Sequence, residues 1–222
     1  MNTEAQYAYS FTSTTGSYTN IAVGTGMNSI EVDDAHSASI PLGFTFVYDG
    51  ASVTNVRVNS NGWVSLQVGD SPTAAAGRGN DIDAGPASTR PALYPLWDDL
   101  DGASGTSVAK YETTGAVGSR VWTMEWRNWQ WDWNGSGATI SFQCKLYETT
   151  NVIEYLYRQE AGAVSNTSGG ACIGHARGTG AGNYHSLNNS GATPTSSTTV
   201  GTDNIATKPS TNRLYRWTPC NG

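Results

Sequence analysis

The run Ile40-Pro41-Leu42-Gly43-Phe44-Thr45-Phe46-Val47, then 53–58, the turn Asn59-Ser60-Asn61-Gly62 and the run 62–68, carries the fold in its spacing. Ile40, Leu42, Phe44 and Phe46 share one parity, and Thr45 and Val47 take the other. That is the period of an extended strand with one buried face. Asn61-Gly62 suits the positive φ angles of a tight hairpin, so the chain reverses there. Outward from this stretch similar short runs recur: Tyr7, Tyr9 and Phe11 alternate with small polar residues, and 108–112, 120–126, 129–133, 139–147, 152–157, 172–175 and 213–217 follow. No window sustains the helical spacing of apolar residues at i, i+3, i+4 and i+7. The expectation is an all-β fold, a two-sheet antiparallel β-sandwich of jelly-roll-like form, spanning 1–222 as one domain. Two Gly-, Ala-, Ser- and Thr-rich stretches, 70–91 and 178–202, read as long loops.

Composition narrows the class. Charged residues make up 14% of the 222 positions, against about 25% in an average soluble domain. Eight Trp and eleven Tyr stand beside four Phe, so most aromatic mass carries a polar handle. A net charge of −6 and no basic stripe argue against a nucleic-acid partner. No apolar run approaches the ~18 residues of a membrane span, so no membrane insertion is expected.

The densest aromatic stretch is Val121-Trp-Thr-Met-Glu-Trp-Arg-Asn-Trp-Gln-Trp-Asp-Trp133. Trp122, Met124 and Trp126 share one face; Trp129, Trp131 and Trp133 fall on the opposite parity. A bulge near Arg127-Asn128 would return all five indoles to the core. Without it, Trp129, Trp131 and Trp133 form an outward row that stacks on sugar rings, with Gln130 and Asp132 orienting hydroxyls. Asp98, Asp99 and Asp101 form an acidic knot after Trp97. Such a knot is either a calcium site of hard oxygen ligands or a turn whose carboxylates accept backbone N–H bonds. Glu31, Asp33 and Asp34 make a second cluster, and Asn80, Asp81 and Asp83 a third. Glu125 with Glu112 or Glu154 imitates the carboxylate pair of a jelly-roll glycosidase. His36, His175 and His185 have no paired metal or catalytic spacing, and no Ser-nucleophile motif occurs. Cys144 and Cys172 lie in separate strand-like runs and are read either as a bridge or as two buried thiols; Cys220 is left over.

The series Ile40-Pro-Leu-Gly-Phe-Thr-Phe46, Val58-Asn-Ser-Asn-Gly-Trp-Val-Ser-Leu66, Tyr94-Pro-Leu-Trp-Asp-Asp-Leu-Asp101, Arg120-Val-Trp-Thr-Met-Glu-Trp126, the run 140–157 and Lys208-Pro-Ser-Thr211 resembles the nidogen-like β-sandwich domain of secreted and cell-surface proteins of Bacteroidota. The resemblance spans Tyr9 to Trp217 and implies an extracellular location, with a signal peptide removed, Met1 added and the domain excised from a longer chain. Positions 144 and 172 are commonly apolar or small in that family, which favours pairing of the two cysteines here. The functional expectation is a non-catalytic adhesion module that binds glycan or another surface polymer. A self-assembling surface or fibre subunit is the alternative, and a polysaccharide hydrolase comes third.

Overall fold

The computed structural model describes residues 8–67, 77–85, 87–165, 167 and 169–220. In chain order its strands are β1 (Tyr9–Thr15), β2 (Thr25–Gly26), β3 (Ile40–Tyr48), β4 (Ala51–Asn59), β5 (Trp63–Ser65), β6 (Ala92–Trp97) and β7 (Val108–Thr114). They continue as β8 (Val121–Trp129), β9 (Ile140–Tyr147), β10 (Ile153–Gln159), β11 (Cys172–Ala176), β12 (Tyr184–Leu187), β13 (Ser196–Ser197) and β14 (Arg213–Pro219). Two antiparallel seven-stranded sheets result, in the orders β1-β14-β10-β9-β8-β7-β2 and β13-β12-β11-β6-β5-β4-β3. The architecture is the expected β-sandwich.

β3 shows why these residues form strands. Its burial alternates without a fault from Ile40 to Tyr48, with Leu42 and Phe46 wholly enclosed. β8 to β10 supply the facing layer through Trp122, Met124, Trp126, Phe142, Cys144, Tyr155 and Tyr157. β6 was not separable from its surroundings by alternation, because all six of its residues are buried. A strand covered on both faces loses its period of two.

That second cover comes from the first of the two stretches read as loops. Its described part, 77–85 and 87–91, lies on the outer face of the second sheet. There Ile82 joins Trp63, Tyr94, Trp97, Cys172 and Tyr184 in a separate apolar cluster. Arg90 is buried with it, donating to the carbonyl of Ile82 at 2.8 Å. The second stretch, 178–202, contains β12 and β13; Tyr184 and Leu187 are buried there, and small neighbours let the strands pack closely.

The Cys144–Cys172 bridge is not formed. Cys144 belongs to β9 in one sheet and Cys172 to β11 in the other, and they sit in different apolar clusters. Both thiols are buried and free, and Cys220 is exposed and free.

Candidate functional site

Four connections meet at one end of the sandwich, and backbone hydrogen bonds lace them together. Asp101 and Gln130 exchange N–H···O bonds of 3.1 and 3.0 Å, Gly102 N–H donates to Val32 O at 3.1 Å, and Ser60 N–H donates to Ala35 O at 3.0 Å. The segments following Ile30, strand β4, strand β6 and strand β8 therefore form one surface. The turn after β4 lies beneath it, with Asn59, Ser60 and Asn61 fully buried. Gly62 has φ +76°, and a Cβ there would stand 2.0 Å from the Leu96 carbonyl oxygen, so only glycine fits.

The buried turn explains where the tryptophans go. Ladder pairing between β8 and β9 slips between Trp126 and Trp129, and Asn128 takes φ +57°. This is the bulge weighed at Arg127-Asn128, although it returns four of the five indoles to the core and not Trp133. Ser141 Oγ receives the Asn128 N–H at 2.9 Å and Thr106 O receives its Nδ2 at 3.0 Å, which fixes the kink. Trp126 and Trp129 now share the core side, and their Nε1–H groups donate to the carbonyls of Asn59 (3.0 Å) and Ser60 (2.8 Å). A buried indole needs such an acceptor. Trp131 donates to Asp98 Oδ2 at 2.8 Å.

The expected outward row of Trp129, Trp131 and Trp133 therefore does not exist. Trp129 and Trp131 are fully buried; Trp133 is 52% exposed. The run 129–133 is not a strand either: after Trp129 the chain enters a turn in which Asp132 has φ +77°. Gln130 and Asp132 do not face solvent as ligand-orienting groups. Gln130 Nε2 donates to Trp133 O at 3.1 Å, and Thr167 Oγ1 lies 2.6–2.7 Å from both oxygens of Asp132. They hold the turn that thrusts Trp133 outward. Parity could not show this, because one inserted residue reverses every side chain after it.

The acidic knot is also divided. Asp98 is fully buried and accepts from Trp131 Nε1 and from Asp99 N–H (2.9 Å). Burial pushes its carboxyl up, while the Trp131 bond opposes that rise. Asp101 caps a turn by accepting from Ala103 N–H at 2.6 Å. Asp99 instead turns toward Asp33 and Asp34, and one carboxylate oxygen of each lies within 4.8 Å of the others. The expected set Asp98, Asp99 and Asp101 thus gives way to Asp33, Asp34 and Asp99, joined across two loops. Desolvation, then Asp34 and Asp33, push the Asp99 carboxyl up to about 6. Desolvation followed by Asp34 and Asp101 raises Asp33 as well. Arg78 is the nearby cation, 3.8 Å from Asp34 with its side chain 58% exposed.

Two of the three carboxylates weighed for a glycosidase pair, Glu125 and Glu154, are engaged elsewhere. Glu125, on the outer face of the first sheet, is sealed under residues 18–21 and receives Tyr18 Oη–H at 2.9 Å and Gln143 Nε2–H at 3.0 Å. Glu154 pairs with Arg216 and accepts from Tyr147 Oη–H. His175 and His185 stack face to face at 4.8 Å in the interior, and His36 sits edge-on to Trp63. Asp81, from the third acidic group, accepts from the N–H of Asp83 and of Ala84.

Neither curated protein sequences nor solved structures give a significant match to the chain. A family model described as NIDO related matches residues 8–219, from the residue before β1 to the end of β14. With both sheets inside that match, the chain belongs to the NIDO-related family.

Proposed function

We propose that this protein is an extracellular, non-catalytic adhesion domain that binds a glycan or another surface polymer at the end of the sandwich bearing Trp133. One observation carries the proposal: of eight tryptophans, Trp133 alone presents half its surface to solvent, on a turn locked by Asp132 and Gln130. An indole face offers a large apolar area for a sugar ring, and a rigid turn lowers the entropic cost of using it. One such face binds weakly, and many copies on a surface would act through avidity. The internal engagement of Glu125 and Glu154 supports the non-catalytic part of the reading. The low charge content of a nidogen-like chain supports the extracellular part.

Polysaccharide pull-down and glycan-array binding test the proposal. Trp133→Ala is expected to abolish retention while leaving the melting temperature within about 1–2 °C of wild type. Retention unchanged in that variant rejects Trp133 as the contact. The self-assembly alternative is supported by β1, an edge strand of seven residues without a charge, which offers its outer side to another chain. Light scattering that shows only monomer at high concentration counts against it.

A further inference from the structure

We propose that Asp33, Asp34 and Asp99, together with the side-chain oxygen of Asn61, form a calcium-binding site that ties three loops of the sandwich end together. Two independent observations meet there. First, three carboxylates place an oxygen each within 4.8 Å of one another. Among the described residues, no side-chain hydrogen bond reaches Asp33 or Asp99, whereas Asp98, Asp101 and Asp132 are each capped by a donor. Second, Asn61 is fully buried and its head group is pressed into the cluster, with Nδ2 donating to Asp34 Oδ1 at 2.8 Å. Its Oδ1 is buried and accepts no hydrogen bond. A buried amide oxygen without a donor, on the head group whose nitrogen is bound to Asp34, is a fourth oxygen that a cation could recruit.

The chemistry selects the ion. All four donors are hard oxygens with no imidazole or thiolate among them, which suits calcium and not zinc. Three carboxylates facing one mostly exposed Arg78 leave a surplus of two negative charges, the charge of a divalent ion. A cation here would also offset the repulsion among three carboxylates whose oxygens lie within 4.8 Å of one another. The four proposed ligands do not include Trp133 or the residues that hold its turn, so the polymer-binding reading can fail without affecting the site.

Calorimetric titration of chelator-treated protein with calcium chloride, beside thermal melts, tests the proposal. The dissociation constant is expected on the order of 10⁻⁴–10⁻³ M, the range of extracellular modules. At ~10 mM calcium the melting temperature should rise by about 3–10 °C. Asp33→Asn and Asp99→Asn should each weaken binding at least ~10-fold, while Glu112→Gln and Trp133→Ala bind as wild type. In chelator, Asp99→Asn should melt at or above wild type, because a repelled carboxylate has been removed; this separates a lost ligand from a damaged fold. Absence of any calcium-induced shift would overturn the proposal, as would equal shifts in wild type and Asp33→Asn. An equal response to magnesium would overturn the choice of ion.

Discussion

Trp131→Phe puts the packing of the tryptophan segment to a quantitative test. In the structure the indole and Asp98 are both fully buried, joined by an Nε1–H···Oδ2 bond of 2.8 Å. Phenylalanine keeps most of the apolar body and removes the donor. A hydrogen bond to a charged group contributes about 1.5–3 kcal/mol, and the void left by the smaller ring adds about 1 kcal/mol. The expected loss is therefore about 2.5–4 kcal/mol, or about 5–16 °C in melting temperature for a domain of this size. The loss should depend on pH with a definite sign. Burial already raises the Asp98 carboxyl above its ordinary value, and the Trp131 bond is the largest opposing influence. Removing that bond raises it further, so the variant's deficit should grow as pH rises from 4 to 8, where the carboxylate must ionise without its donor. Reversible urea unfolding followed by circular dichroism measures both quantities. A variant within about 0.5 kcal/mol of wild type would refute the buried placement of Trp131. A full-sized loss independent of pH would mean that the indole contributes volume and not a bond to Asp98.

Three further outcomes are expected. Burial, then His185, hold the His175 imidazole well below its ordinary 6.5; its stabilising contribution is complete above that value and is lost as pH falls toward the folded-state value. Unfolding free energy should thus decline below about pH 6.5, and a His175→Gln variant with the same slope would count against this cause. A thiol-reactive dye should titrate one cysteine, Cys220, in the native protein and three in denaturant, since burial pushes the Cys144 and Cys172 thiols far up; one reactive thiol in denaturant without reductant would reveal a disulfide. Gly62→Ala should cost more than about 3 kcal/mol or yield insoluble protein, because its Cβ would collide with the Leu96 carbonyl and φ is +76°. Wild-type-like denaturation of that variant would show that the turn can relax.

The calcium and polymer readings rest on parts of the chain that differ in how readily they were inferred. The bulge at Arg127-Asn128 was one of two readings open for the parity of five tryptophans, and the pairing slip there confirms it. Its consequence for Trp133 was not open to inference, since the turn beyond Trp129 depends on Thr167, 35 residues away, gripping Asp132. Likewise the acidic runs at 33–34 and 98–101 were visible as runs. Asp98 and Asp99 are adjacent, yet one faces Trp131 and the other faces Asp33 and Asp34. In the sequence Asn61 is a turn residue beside Gly62 and nothing more. Its oxygen is buried without a donor, and only the fold brings its amide against Asp34, 27 residues earlier.

Alternation along β3, the Asn-Gly turn and the lack of helical spacing were enough to specify an all-β sandwich, because a strand's two faces are written in neighbouring residues. Long-range closure had to decide the rest: which indole stayed outside, which carboxylates met, and whether two cysteines shared a sheet. Those outcomes depend on side chains far apart in the chain competing for the same buried volume and the same hydrogen-bond acceptors, and no local pattern encodes the winner.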